Sequence, residues 1–192
     1  MVAMVRTRAL RRGFTLIELM IVVVIVAVLA TLAVVGYRKM ILASHVSEAT
    51  GMVQNIRVAQ EEYFSETRQY ANISSSLSTW YPQSSPSYTA GVTAWGAACG
   101  GACAANMDWS MLPVHVDGPV LFGYATVAGP PGQAPVPASI VVNAKTIVFP
   151  GTPQTDWFIV AATCDLDGNG TPNTSVYTTS WQNSVLIDQE GQ

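Results

Sequence analysis

Charge is the first thing that this sequence has little of. Only 11% of its 192 residues are charged, and acidic residues outnumber basic ones by twelve to nine. An acidic balance argues against binding to nucleic acid through general electrostatics. Gly, Pro, Ser and Thr are frequent beyond residue 70, and with so little charge this composition is typical of a secreted, loop-rich domain.

Histidine is scarce as well, and its scarcity limits the chemistry that the chain can perform. The two histidines, His45 and His115, have no nucleophilic Ser or Cys placed to form a triad with them, and the chain has no glycine-rich phosphate loop. Together with three cysteines they give no spacing typical of a zinc site. We therefore expect a protein that is not an enzyme.

What the chain does have is one long apolar run, Phe14 to Tyr37. Its 24 residues contain a single charge, Glu18. Because about 20 apolar residues are enough for a helix to cross a bilayer, we predict a transmembrane helix here. A carboxylate costs roughly 2.5 to 3.5 kcal/mol at the bilayer centre and usually has a partner, yet the run contains no basic residue.

The segment before the run is basic. Its thirteen residues contain no acid and four arginines, Arg6, Arg8, Arg11 and Arg12. This bias keeps residues 1–13 in the cytoplasm and sends the chain after the span outward. A secretory signal has its small-residue cleavage site after the apolar stretch, whereas here the small residue, Gly13, stands before it.

The ten residues RRGFTLIELM, Arg11 to Met20, resemble the processing site of type IV prepilins and of the related type II secretion pseudopilins. The resemblance implies that a prepilin peptidase cuts between Gly13 and Phe14, methylates the new amine of Phe14 and leaves the helix in the mature protein. Glu18 then becomes the fifth mature residue. We expect it to act in assembly, with its charge neutralised by the Phe14 amine of the same or an adjacent subunit.

The function that the resemblance implies is that of a structural subunit of a type IV pilus-like extracellular filament. The chain is expected as an inner-membrane precursor in a Gram-negative bacterium and then as a helical homopolymer at the cell surface. The implied partners are the prepilin peptidase, an inner-membrane platform protein and an assembly ATPase. The alternative is a pseudopilin of a type II secretion system, a short periplasmic piston with the same N-terminal signature. A monomeric membrane-anchored binding protein would need neither Glu18 nor processing at Gly13.

The helical pattern continues beyond the membrane to about Ser65. One face is predicted to be buried, because apolar residues recur at helical spacing: Ala49, Met52, Val53, Ile56, Ala59 and Tyr63. On the opposite face, Arg57 lies four residues from Glu61, which predicts a surface ion pair. The expected organisation is a leader (1–13), a span (14–37) and a head (38–192). The head comprises a helix half (38–66), an irregular connection (67–118) and a sheet (119–192).

Six short apolar or β-branched runs in the last third predict strands: Val120 to Val127, Ser139 to Val142, Thr146 to Phe149, Asp156 to Thr163, Val176 to Ser180 and Ser184 to Ile187. The turn Gly129 to Gly132 separates the first two, and Asn143-Ala144 closes a tight hairpin between the next two. We expect a four- or five-stranded antiparallel sheet packed on the amphipathic half of the helix, an α+β fold. The pilin resemblance implies the same head.

The three cysteines, Cys99, Cys103 and Cys164, are an odd number in a compartment that permits disulfides. One bridge and one free thiol are therefore expected. A short Cys99 to Cys103 bridge is preferred, and a bridge from either of these residues to Cys164 is the alternative.

The stretch Asp165 to Gly170 reproduces the first half of an EF-hand calcium loop. Position twelve is Val176 instead of glutamate, and strands flank the loop, so it is not a true EF-hand. Either the oxygens of Asp165, Asp167 and Asn169 converge on a calcium ion, or these residues form an ordinary tight turn, for which Asp, Asn and Gly are the usual choice. No other cofactor is expected.

Overall fold

The computed structural model of the chain describes residues 13–96 and 108–188. They divide into two compact units, the first ending at Arg38 and the second beginning at Lys39. A single α-helix, α1, covers Leu16–Thr67 and contributes residues to both units. The helix begins and ends two residues later than the expected Phe14 to Ser65. We refer to the described residues of the second unit, 39–96 and 108–188, as the head.

Within the head, one face of α1 is buried, as its sequence periodicity predicts. The buried positions recur every three or four residues and so share one side of the helix: Val46, Ala49, Met52, Val53, Ile56, Ala59 and Gln60. Tyr63 is partly buried against the same core. The α+β fold is therefore confirmed, because the apolar residues of this face belong to one hydrophobic cluster with residues of the sheet.

Six strands follow: β1 (Gly123–Gly129), β2 (Ser139–Val142), β3 (Lys145–Val148), β4 (Trp157–Cys164), β5 (Thr174–Thr179) and β6 (Gln182–Asp188). Each overlaps one of the six predicted runs. Four of them form an antiparallel sheet in the order β1-β4-β5-β6, and β2 and β3 form a separate antiparallel pair.

The strand that follows β1 in the sequence does not pair with it. β1 pairs instead with β4, from Gly123 opposite Thr163 to Gly129 opposite Trp157. The connection between β1 and β2 contains four prolines, Pro130, Pro131, Pro135 and Pro137. Because proline has no N–H to donate and a fixed φ, this connection cannot continue a ladder as a tight hairpin does.

Strand β4 is buried along its whole length. Phe158, Val160 and Ala162 pack in the cluster that contains the α1 face. The alternate residues Trp157, Ile159 and Ala161 pack in a second cluster, with Ile140 and Val142 of β2. The sheet is therefore covered on both faces, by the helix on one side and by the β2–β3 pair on the other. This explains why β4 reads as a continuous apolar run instead of an alternating one.

The β2–β3 pair closes through the two-residue turn that the sequence predicts. Asn143 and Ala144 have φ values of 49° and 59°. Positive φ at both central residues is the geometry of a type I′ turn, which matches the twist of a hairpin. Asn tolerates this conformation well, whereas an Ala side chain is strained in it.

We expect Ala144→Gly to stabilise the head. Glycine carries no Cβ and adopts φ near +60° freely, so the change should raise the free energy of unfolding by about 1 kcal/mol. Thermal unfolding of the purified chain measures it as a small rise in Tm. Ala138→Gly, an exposed position just before β2, is the control and should be neutral or slightly destabilising; an equal gain there would contradict the turn-strain argument.

The described parts of the connection between α1 and β1 are irregular except for one 3-10 turn, Trp109–Met111. This connection covers the outer edge of β1. Tyr81 and Tyr124 exchange two backbone hydrogen bonds, of 2.9 and 2.7 Å, and the Ser74 N–H donates to the Thr126 carbonyl at 2.8 Å. The approach is close because residue 123 is glycine: a Cβ there would lie 2.8 Å from the Cβ of Trp80. The edge that would otherwise invite strand addition is thereby closed.

Candidate functional site

The described part of the first unit consists mainly of the apolar half of α1. Helix α1 is the one helix among the described residues that is long and apolar enough to cross a membrane, with a mean hydropathy of 3.1 over its most apolar window. None of that window is buried within the protein. Apolar side chains therefore face outward all around the helix, a surface that suits lipid or other apolar helices and is costly in water.

The predicted processing site lies directly before this helix. Gly13 and Phe14 precede its first residue and are exposed. The bond between them is consequently outside the helical hydrogen-bond ladder, and a Cβ added at Gly13 would have no atom within 4 Å. The Gly13–Phe14 bond is placed where a peptidase can reach it.

Glu18 takes part in the N-terminal cap of α1. Its Oε2 accepts hydrogen bonds from the Thr15 N–H at 2.9 Å and from the Thr15 hydroxyl at 2.7 Å, and the Glu18 N–H donates to that hydroxyl at 3.3 Å. This reciprocal pair is a capping box. No basic side chain among the described residues lies within ion-pair distance of Glu18. The T-x-x-E spacing that signals this capping box is visible in the sequence, next to the assembly role predicted for Glu18.

In the head, Gln60 is a polar residue that the apolar pattern did not reveal. It is fully buried, its Oε1 accepts from the Ala71 N–H at 2.8 Å, and its Nε2 donates to the Ala71 carbonyl at 2.7 Å and to the Thr126 hydroxyl at 3.0 Å. One side chain thus joins the helix, the chain just beyond it and strand β1. Nothing in the neighbouring sequence predicts this role of Gln60, because its hydrogen-bond partners lie 11 and 66 residues away.

Arg57 corrects a sequence prediction. It forms no ion pair with Glu61; its guanidinium donates to the Gln182 carbonyl at 3.0 Å and to the Asn183 side chain at 2.6 Å. The first two residues of β6 supply these acceptors, and their hydrogen bonds take the place of a solvated helical ion pair worth only a few tenths of a kcal/mol. Arg57 therefore joins α1 to the end of the sheet.

The candidate calcium loop is held by its own hydrogen bonds. Asp165 is buried, and its carboxylate accepts from the N–H groups of Gly168 and Gly170, both at 2.8 Å, and from the Ser87 hydroxyl at 3.1 Å. Asp167 accepts from the Asn169 N–H at 3.1 Å. Burial alone would raise the pKa of Asp165, but these donors outweigh it and hold the pKa below the usual value of 3.8.

These hydrogen bonds are sufficient to explain why the loop adopts a tight turn. In the described part of the chain, no group of three or more His, Cys, Asp or Glu side chains is arranged to hold a metal ion. The Asn169 side-chain oxygen, the third predicted ligand, accepts from the Thr171 N–H at 2.8 Å. Calcium binding stays a prediction, and the structure supplies a reason for the three residues that requires no ion.

We expect Asp165→Ala to lower the Tm of the head by on the order of 5 °C, because it leaves the part-buried N–H groups of Gly168 and Gly170 without their acceptor. Asp167→Ala, at an exposed position, is the matched control and should change Tm little.

The effect of Asp165→Ala should depend on pH. Because the pKa of Asp165 is lower in the folded head than in the unfolded chain, its carboxylate stabilises the fold at pH values above the unfolded-state pKa of about 3.9. The difference in Tm between wild type and Asp165→Ala should therefore shrink as the pH falls below that value.

Calcium is tested on the same proteins. We expect a chelator to leave the Tm of the wild type unchanged. A rise in Tm with millimolar calcium that Asp167→Ala abolishes would instead establish the ion site.

The disulfide prediction falls mainly on Cys99 and Cys103, which lie outside the described residues. Cys164 is described as a free thiol, buried at the end of β4. Burial, followed by the nearby charge of Asp165, raises the pKa of Cys164 to about 12. A thiol with so high a pKa is protonated and unreactive at neutral pH. Which two of the three cysteines form a bridge stays a prediction.

The comparisons with known proteins cover about a third of the chain at most. A family model described as the prokaryotic N-terminal methylation motif matches residues 8–34. The methylation motif of prokaryotic prepilins is thus present across the predicted cleavage point and the first turns of α1.

The related proteins are pilins. Over 66 residues the chain is 41% identical to the type IV major pilin PilA of Myxococcus xanthus, covering 34% of this chain and 30% of that protein. It is 39% identical over 59 residues to the fimbrial protein EcpC of Eikenella corrodens, covering 31% and 39%. It is 44% identical over 55 residues to the type IV major pilin PilE of Neisseria gonorrhoeae, covering 29% and 33%.

The N-terminal segment is therefore homologous to type IV major pilins. The matches span about a third of the length of these curated relatives, and no solved structure matches the chain. The long helix packed on an antiparallel sheet is nevertheless consistent with the α+β fold of a pilin.

Proposed function

We propose that this chain is a structural subunit of a type IV pilus-like extracellular filament. It is made as an inner-membrane precursor, cut between Gly13 and Phe14 by a prepilin peptidase, methylated at Phe14 and polymerised with a platform protein and an assembly ATPase. The observation that supports this most is the methylation motif over residues 8–34, which runs into the N-terminal half of α1, where every apolar side chain up to residue 40 is exposed.

The exposed helix supplies the driving force for assembly. An apolar helical surface of this size is stable in lipid or against other apolar helices, and not in water. A subunit that leaves the bilayer must therefore bury its α1 surface against other subunits. When one patch meets a different patch on the next copy, the rotation does not close and a helical filament grows.

The test is to shear fibres from cells that produce the chain. Electron microscopy should show filaments, and mass spectrometry of the fibre subunit should give residues 14–192 with a methylated amine at Phe14. Gly13→Val serves as the control: it should retain the leader and yield no fibres. Processed protein found in the cell envelope without fibres would favour the type II secretion pseudopilin. Uncleaved protein would indicate a membrane-anchored binding protein.

A further inference from the structure

Among the described residues, the charged side chains of the head form almost no ion pairs with one another. The one ion pair in the described ranges is between His45 Nδ1 and Glu48 Oε2, at 3.8 Å. Arg38 and Lys39 are exposed on α1, and neither lies within 4.0 Å of a carboxylate oxygen of the described residues. The chain without its first thirteen residues carries five basic against twelve acidic residues, about minus seven. Copies of so acidic a chain repel one another unless their few cations meet carboxylates.

One concave surface of the head is suited to receive such a cation. A groove of about 340 Å³ lies between α1 and the segment that leads into β1. Met52 and Val120, both buried, form an apolar floor, while the exposed carboxylates of Glu48 and Asp117 and the exposed His115 stand at its rim. A lysine or arginine has the complementary form, since it lays an apolar stem on an apolar surface and keeps its charged end in a polar environment.

We propose that this groove binds the Lys39 side chain of a second copy of the chain in the assembled filament, with Arg38 beside it. The inference rests on the proposed function and adds a specific contact to it. Lys39 packs its stem over Met52 and Val120, and its ammonium group lies between Glu48 and Asp117.

The helix geometry supports a second copy as the occupant. Lys39 and Glu48 are nine residues apart on α1, which places them about 14 Å apart along the axis and on opposite sides of the helix at about 100° per residue. The two groups of one copy cannot meet. Parallel copies displaced by about 14 Å bring the donor side of one helix to the acceptor side of the next. Each copy therefore offers its Lys39 to one neighbour and its groove to another. This is the heterologous contact from which an open filament grows.

The contact is expected to set the register between copies more than the strength of their association. Exposed ion pairs contribute about 1 kcal/mol or less, whereas like charges placed opposite each other cost several kcal/mol. The apolar α1 surfaces supply most of the stabilisation, and the groove selects the displacement at which they pack. Arg68 and Lys145 are also exposed, but neither lies on α1, since Arg68 follows its last residue and Lys145 belongs to β3.

A zero-length crosslink in isolated filaments tests the contact directly. A carbodiimide joins a lysine amine to a carboxylate as an amide, and the elements of water leave in the urea by-product. We expect a peptide crosslinked through Lys39 to Glu48 or Asp117, and helix geometry makes a Lys39 to Glu48 bond a bond between copies. Lys39→Arg, which keeps the charge, should form filaments without this crosslink. Filaments whose lysines couple only to other acids would overturn the proposal.

Charge reversal provides an independent test in cells. Glu48→Lys and Lys39→Glu should each reduce recovered filament by about tenfold or more, because like charges then oppose each other, and combining them should restore it. Glu66→Lys, an exposed acid on α1 outside the groove, is the control and should assemble normally. Normal assembly of Glu48→Lys, or no recovery in the double variant, would reject the contact. Absence of filaments from the wild type would instead reject the proposed function.

Discussion

Replacing Gln60 by Ala is expected to lower the free energy of unfolding of the head by about 3 to 5 kcal/mol. The substitution leaves the buried N–H and carbonyl of Ala71 without partners and opens a cavity beside Thr126. Since a domain of this size is stable by only about 5 to 15 kcal/mol, the loss is a large share of the total. It corresponds to a fall in Tm of about 10 °C.

The fluorescence of the five tryptophans, all of which lie beyond residue 79, follows this transition in the full chain in detergent. Gln54→Ala is the matched control, a half-buried glutamine on the same helix, and should shift Tm only slightly. Gln60→Met keeps most of the volume, so it separates the hydrogen bonds from the cavity and should still destabilise. If Gln60→Ala and Gln54→Ala have the same Tm, the hydrogen bonds of Gln60 to Ala71 and Thr126 contribute nothing to stability.

The sequence predicts well those features that depend on local periodicity. The apolar run marks the span, the three- and four-residue spacing from Ala49 to Ala59 marks the buried helix face, and every apolar run after residue 119 contains a strand. Asn143-Ala144 marks a hairpin turn because it stands between two short β-branched runs. Each of these signals lies within a few residues of the structure that it predicts.

The features that the sequence did not predict depend on distant partners. Gln60 resembles any polar residue at the edge of an apolar stripe until Ala71 and Thr126 are brought to it. Arg57 has a plausible partner four residues away and uses one about 125 residues away. β1 pairs with β4 across a proline-rich connection and a separate hairpin. In each case the observed contact is made with residues far away in the sequence, and it differs from the contact that the neighbouring residues alone would predict.

The Asp165 loop shows the same limit in a functional prediction. Asp, Asn and Gly at alternate positions are equally typical of a calcium loop and of a turn. Only coordinates show where the carboxylate points, and here it faces the N–H groups of Gly168 and Gly170. The residue types are thus compatible with either role. The backbone N–H groups around the carboxylate show that it already has hydrogen-bond donors without a metal ion.

Glu18 is the position where a single substitution is expected to abolish assembly. In the precursor its carboxylate caps α1 through Thr15. Cleavage after Gly13 would create a cationic amine on Phe14, and burying this amine in an apolar fibre core without a counter-charge costs about 3 to 5 kcal/mol. We therefore expect Glu18→Ala to be processed and inserted in the membrane normally, and to enter filaments about 100-fold less than the wild type.

Two further variants separate the charge of Glu18 from its capping role. Glu18→Gln retains an oxygen that accepts from Thr15 but carries no charge, so it should fail in assembly as Glu18→Ala does. Thr15→Ala removes the hydroxyl and keeps the carboxylate, so it should assemble at a small cost in helix stability of about 1 kcal/mol. The measurement is the ratio of sheared to cell-bound processed subunit. Filaments of Glu18→Gln at wild-type levels would show that the carboxylate acts only as a helix cap and that no charge pair forms in the fibre.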